Sequence, residues 1–176
     1  MSTILNRHEG KRQSMKIKIF ATGGTIDKVY FDKKSKYEIG DPQAPGVLER
    51  ANVVVDYQVD SILRQDSLDM TDGDRQMIFR AIESCPEQHI IITHGTDTMI
   101  DTAVALGGIS GKTIVLTGSM YPARFHESDA VFNLGCAVIA AQILPAGVYI
   151  AMNGRIFDPM HSRKNIELNR FEDLDV

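Results

Sequence analysis

Four short segments concentrate hydroxyl side chains beside glycine or aspartate. They are Thr22-Gly23-Gly24-Thr25, Asp66-Ser67-Leu68-Asp69, Thr93-His94-Gly95-Thr96-Asp97-Thr98 and Thr117-Gly118-Ser119. A hydroxyl can donate and accept, and a glycine lets backbone N–H groups come close to a ligand. The carboxylate of Asp97 can pair with a cationic group such as an ammonium. The set suits a small, polar, zwitterionic ligand better than a large apolar one. Each segment also has a plainer reading. Gly23-Gly24 makes a tight turn, Thr96 and Thr98 serve as helix N-caps, and Asp97 answers a helix dipole. Ser67 and Ser119 are ordinary loop residues. The joint placement of the segments sets them apart.

Other chemistries are excluded by what the spacing lacks. No Gly-Lys-Ser/Thr follows Gly23-Gly24, so the segment is not a phosphate-binding loop, and it has no third glycine for a dinucleotide fingerprint. His8, His89, His94, His126 and His161 show no ligand spacing and no Cys-x-x-Cys partner; no metal and no cofactor is expected. His94 reads as a structural hydrogen-bonder. Ser119 lacks the Gly-x-Ser-x-Gly elbow. Cys136, amid apolar neighbours, reads as core and not as a nucleophile.

These segments need elements to hold them. From Met15 onward, short β-branched runs alternate with turns and helical periodicity. Strands are expected at Lys16–Ala21, Val53–Val59, His89–Thr93, Thr113–Thr117 and Gly147–Met152. Helices are expected at about Asp72–Ser84, with Thr71 as N-cap, at Asp97–Leu106 and at Asp129–Leu144. Ile78 with Ile82, and Met77 with Ala81, would form the inward face of the first helix. The polar stretch from Asp27 to Gly46 reads as a lid or a disordered loop, and the tail from Arg163 as lacking a core element. Ile90-Ile91-Ile92 is apolar on both faces, as a buried parallel strand requires. The pattern is an α/β fold, a three-layer αβα sandwich with a mainly parallel sheet in a single domain. Such sheets bind ligands beyond the carboxyl ends of their strands, where the four hydroxyl segments fall.

Composition sets outer bounds. The chain has 176 residues, 43% hydrophobic and 24% charged, with net charge -4. Those values suit a globular domain with its own core, not a disordered chain. The overall charge lacks the basic excess of a nucleic-acid binder. The longest apolar stretch, Gly135–Leu144, contains Gln142 and is too short to span a bilayer. Residues 1–14 are polar, without the apolar core of a secretory signal, and read as a flexible leader. Two cysteines make no disulfide framework, so a reduced, cytoplasmic protein is expected.

Ala21-Thr22-Gly23-Gly24-Thr25-Ile26 and Thr93-His94-Gly95-Thr96-Asp97-Thr98-Met99 resemble the two signature motifs of the bacterial-type L-asparaginase (asparaginase/glutaminase) family, in the family's order. Asp66-Ser67-Leu68-Asp69-Met70-Thr71-Asp72, Leu116-Thr117-Gly118-Ser119-Met120 and Met152-Asn153 resemble further family segments. The likeness runs from about Met15 to Lys164. It implies hydrolysis of a side-chain amide, of L-asparagine or a related amide such as L-glutamine, to the acid and ammonia. By the same resemblance, Thr25 is the nucleophile and Tyr37, in Lys34-Ser35-Lys36-Tyr37, is its partner on a mobile lid. Thr96, Asp97 and Lys164 form the second half of the catalytic set. Gly24, Ser67, Gly95, Thr96, Asp97 and Ser119 would line the substrate, with Ser67 on its α-carboxylate and Asp97 on its ammonium.

The resemblance also implies departures. It covers the family's larger N-terminal domain, so residues 15–176 are expected to form that domain without the C-terminal one. In the family that second domain, from a neighbouring subunit, supplies an acidic residue to the substrate's ammonium. Leu68 stands where the family often has Gln, and Ser119 where it often has Ala. The alternatives to a minimal amidohydrolase are a non-catalytic module that binds aspartate- or asparagine-like molecules, and a fragment that needs a partner chain. A lone first domain would expose apolar surface, which implies a homo-oligomer, a dimer or higher.

Overall fold

A strand with apolar side chains on both faces belongs at the centre of a sheet covered on both sides. The computed structural model describes residues 15–31 and 36–174 and places β1 (Lys16–Gly23) at such a position. A 3₁₀ turn at Thr25–Asp27 leads to a hairpin of β2 (Lys28–Phe31) and β3 (Lys36–Ile39). Then come α1 (Ala44–Arg50), β4 (Asp56–Gln65), α2 (Asp72–Ser84), β5 (His89–Thr93), α3 (Met99–Ala105) and β6 (Thr113–Thr117). They are followed by α4 (Ala130–Ile143), β7 (Gly147–Met152), β8 (Arg155–Phe157) and a closing hairpin of β9 (Ser162–Asn165) and β10 (Arg170–Asp173).

The main sheet has the order β4-β1-β5-β6-β7-β8, parallel except for the edge strand β8. Alternate side chains build two cores. Ile17, Ile19, Ile91, Val115 and Ala151 pack with Val47 and Leu48 of α1 and with Leu134 and Ala137 of α4. Phe20, Ile90, Ile92, Leu116 and Ile150 pack on the other face with Ile78 and Ile82 of α2 and Met99 and Ala103 of α3. The expected three-layer αβα sandwich is therefore the observed fold.

One connection breaks the usual hand. The steps β5–α3–β6 and β6–α4–β7 cross the sheet in the same direction, yet α3 and α4 lie on opposite faces. One of the two must be left-handed, against a strong right-handed preference. The step β1–α1–β4 runs the opposite way with its helix on the α4 face, so it shares the hand of β5–α3–β6. The exception is β6–α4–β7. Its cost is a long passage from β6 over the strand ends to the far face. That passage carries Ser119, and its Ala123 N–H donates to the carbonyl of Ile26 at 3.2 Å.

Four expectations need correction. The second strand runs from Asp56 to Gln65, not from Val53 to Val59. Val53 and Val55 are apolar because they pack against the core as loop residues, while β4 continues to pair with β1 as far as Gln65 opposite Gly23. The stretch from Asp27 to Gly46 holds a hairpin and the start of α1, a helix whose Ala44, Val47 and Leu48 are buried. The tail holds β9 and β10, with Phe171 buried against Phe157. Met77 is half exposed, so the inward face of α2 rests on Ile78 and Ile82, with Ala81 packed against the same core. The Asp72–Ser84 helix and its Thr71 cap are as expected. The expected leader, residues 1–14, lies outside the described residues. Among the described residues no helix is long and apolar enough to cross a membrane.

Candidate active site

The hydroxyl segments follow β1, β4, β5 and β6 at their carboxyl ends, and glycines let them touch through backbone. Gly24, with φ of 82°, lies so close to the next loop that a Cβ would sit 2.4 Å from Gly95 N and Cα. A Cβ on Gly95 would sit 2.5 Å from Ser67 Oγ, and one on Gly118 would sit 2.3 Å from the carbonyl of His94. Real side chains do not reach such distances, so these three positions demand glycine. As a consequence, Thr25, Ser67, Thr96 and Ser119 hang from four loops held in direct contact.

The loop after β5 is braced from within. His94 is fully buried, and its Nδ1–H donates to the Gly95 carbonyl at 2.7 Å. That tautomer leaves Nε2 to accept the Thr102 hydroxyl at 2.9 Å. Burial drives the imidazole pKa down to about 4, so the ring is neutral near pH 7. His94 is the structural hydrogen-bonder expected, set behind Thr96.

Thr96 is buried and meets a cation from the far end of the chain. Lys164 Nζ donates to Thr96 Oγ1 at 2.8 Å and to Asp97 Oδ1 at 2.6 Å. The lysine side chain is 13% exposed and that of Asp97 41%. Thr96, Asp97 and Lys164 thus stand together although 67 residues separate Asp97 from Lys164. Ser67 is buried, and its Oγ has no hydrogen-bond partner among the described residues. A buried hydroxyl left so is costly unless a ligand or water meets it. Ser119 is also buried, but its Oγ donates to the Tyr121 carbonyl at 2.5 Å.

Tyr37 stands apart from this cluster, on β3. Its ring is half exposed and meets Tyr30 edge-on at 5.5 Å and Phe125 at 6.0 Å. Phe125 belongs to the passage from β6, so the hairpin leans on the loop that covers the Thr25 turn. Lys34 and Ser35 lie outside the described residues. The base of the hairpin is tied to Asp27, whose carbonyl accepts Gly40 N–H at 2.9 Å and whose Oδ1 accepts Gln43 N–H at 2.8 Å. Burial pushes the Asp27 carboxyl up to about 7, against the opposing hydrogen bond from Gln43 and the charge of Arg64.

Several positioning residues escape sequence reasoning. Thr98 heads α3 without capping it; its hydroxyl donates instead to the Ser67 carbonyl at 2.7 Å. Asp129 accepts the N–H groups of Met120 and Tyr121 at 3.0–3.1 Å. Buried Asn133 donates to the Gly118 carbonyl at 3.1 Å. A lone Asn inside the apolar run of α4 was the available signal for Asn133. Asp27 offers none, because its burial is wholly tertiary. Cys136 is only half-buried. It lines an open apolar groove of about 670 Å³ with Phe132, Ile139, Ile143 and Ile156. This groove runs along α4 and β8 and contains none of the clustered residues.

Residues 16–172 match the protein family described as asparaginase, N-terminal. The chain is 30% identical over 172 residues to the L-asparaginase of Thermococcus kodakarensis, covering 92% of this chain and 52% of that one. The solved structure of the thermostable L-asparaginase from Thermococcus kodakarensis superposes with a TM-score of 0.79 at 30% identity, covering 90% of this chain and 51% of the other. A probable periplasmic L-asparaginase from Haemophilus influenzae is 34% identical over 152 residues, covering 80% and 43%. The structure of a probable cytoplasmic L-asparaginase from Campylobacter jejuni gives a TM-score of 0.77 at 27% identity, covering 90% and 53%. The chain spans about half the length of the relatives it matches.

Proposed function

Because this chain belongs to the asparaginase family, through the family's N-terminal domain, we propose that it hydrolyses the side-chain amide of L-asparagine to aspartate and ammonia. The observation that carries the reading is the contact of Lys164 Nζ with both Thr96 Oγ1 and Asp97 Oδ1, on a loop pressed against the Thr25 turn. A threonine hydroxyl is a weak nucleophile and needs a positioned proton acceptor and a stabilised oxyanion.

In this reading the Thr25 hydroxyl attacks the amide carbon. The C–N bond breaks, the nitrogen leaves with the hydroxyl's proton as ammonia, and water cleaves the resulting ester to return Thr25 and release the acid. Lys164 orients the Thr96 hydroxyl and places positive charge beside the developing oxyanion. Backbone N–H groups at Gly95 and Thr96 add about 3 kcal/mol each if aligned. The unpartnered Ser67 Oγ takes the substrate α-carboxylate, and Asp97 its ammonium. Tyr37 closes from the β2–β3 hairpin as Thr25's partner. L-glutamine, longer by one methylene, is the second substrate to try.

The reading extends to assembly and compartment. Val131, Phe132, Ile139 and Ile143 expose apolar side chains along α4, which supports association with further copies. Cys85 and Cys136 are both free thiols, which fits the cytoplasm. Residues 15–176 would act as the family's first domain.

The test is ammonia release from L-asparagine, L-glutamine and their D forms, with T25A and T96A run in parallel. L-Asparagine should be turned over, and either variant should lose about a thousandfold in kcat. Equal activity in T25A removes the nucleophile assignment. Calorimetric binding of L-aspartate without any turnover would replace hydrolysis by binding alone.

A further inference from the structure

The hairpin that carries Lys164 is not a part of the main sheet. Something must set the height and facing of that lysine. Lys164 lies directly opposite Phe171 in the β9–β10 register, and opposed residues of an antiparallel pair project to the same face. The Phe171 ring is 3% exposed and packs against Phe157 at 6.1 Å. Burying Phe171 therefore turns Lys164 toward the strand ends.

The Phe171 N–H does not point to β9. It donates to the side-chain Oδ1 of Asn153 at 2.9 Å. Asn153 follows β7 in the left-handed region, with φ of 52°. Its own N–H donates to Asn133 Oδ1 at 3.2 Å. Asn133 in turn donates from Nδ2 to the Gly118 carbonyl at 3.1 Å and to Asp129 Oδ2 at 2.8 Å. Besides the Phe171–Phe157 packing and the bonds of Lys164 itself, the other described tethers lie at the outer end of the hairpin: the exposed Arg155–Asp173 ion pair at 2.5 Å and Leu174 N–H to the His161 carbonyl at 2.8 Å.

We propose that Asn153 is a positioning residue for Lys164, acting through the Phe171 backbone, and that the Asn133–Asn153 pair ties this lysine to the Ser119 loop. The proposal rests on the reading of Lys164 as the partner of Thr96. Two walls of the site then share one hydrogen-bonded unit, so the distance from Lys164 to Thr96 is set by Asn153 and not by the exposed ion pairs.

The test is N153G, which accommodates the left-handed backbone without steric cost and removes the side chain that carries the acceptor. N153D, which retains a side-chain oxygen, is the rescue. Reductive methylation at fixed pH, read by mass spectrometry at Lys164, reports how firmly the amine is held, independently of turnover. In N153G, Lys164 should be methylated about fivefold faster, the factor expected for one lost hydrogen bond. Its kcat should fall by about the same factor with KM little changed, and N153D should restore both. Wild-type methylation and kcat in N153G, whatever happens to its melting temperature, overturn the proposal, as does a failure of N153D to restore them. K164M separates the two claims. If it turns over asparagine normally, the catalytic reading of Lys164 falls, while the methylation rate still decides whether Asn153 holds the lysine.

Discussion

Replacing Asp27 by Asn should tilt a stability profile that is otherwise level in mild acid. Two buried groups oppose each other there. His94 has its pKa lowered by burial from 6.5 to about 4. Between those values the unfolded chain holds a proton that the folded chain does not, so this contribution is lost as pH falls. Asp27 has its pKa raised by burial from 3.8 to about 7. Between those values the folded chain holds the extra proton, so stability is gained as pH falls. Each complete shift corresponds to about 3 to 4 kcal/mol at about 1.4 kcal/mol per pH unit. The slopes have opposite sign and nearly cancel between about pH 5 and 6.

Asn is close in shape to Asp and keeps an oxygen for the Gln43 N–H, but it does not titrate. D27N should therefore lose about 1 kcal/mol between about pH 6 and 5, where the wild type changes little. It should also be more stable than the wild type at about pH 8, where Asp27 carries a buried charge. H94N should show the reverse slope. Asp60, Asp66, Asp74, Glu87, Asp158 and Glu172 are all held below their ordinary values, so their folded forms stay ionised in this window. Urea unfolding at half-unit pH steps measures the slopes directly. If the wild type already shows the full His94 slope and D27N only repeats it, Asp27 is ionised in the folded protein and the reasoning fails.

G24A forces a Cβ to 2.4 Å from Gly95 at positive φ, so it should part the Thr25 and Thr96 loops and abolish turnover while leaving the far-ultraviolet circular dichroism intact. T71A removes a capping box in which Thr71 Oγ1 accepts Asp74 N–H at 3.3 Å and Asp74 Oδ2 accepts Thr71 N–H at 2.8 Å; denaturant midpoints should report a loss of about 1 kcal/mol. I139K places a charge on the exposed apolar face of α4 and should shift sedimentation toward the monomer; an unchanged assembly would move the interface away from that face.

The order of strands and helices was legible because it rests on local patterns. Ile90-Ile91-Ile92 marks a strand covered on both faces, and Thr71 marks a helix start; both are observed. The clustered loops were legible for the same reason, since glycine and hydroxyl residues fall at successive strand ends. The tail was not. Phe171 is one aromatic in a charged run, and only its packing on Phe157 makes β10 a core element. The hand of the step through α4 is equally invisible in sequence, because no local pattern records which face of the sheet a helix chooses. That choice carries the Ser119 loop across the strand ends to Ile26. By itself the sequence determined the order of strands and helices and which strand ends concentrate glycine and hydroxyl residues, through residue types and period. Tertiary structure supplied the contact of Lys164 with Thr96 that the resemblance implied, and it alone decided that Asp27 is buried and that Asn153 accepts the Phe171 N–H. Each of these depends on burial or on contacts between residues far apart in the chain.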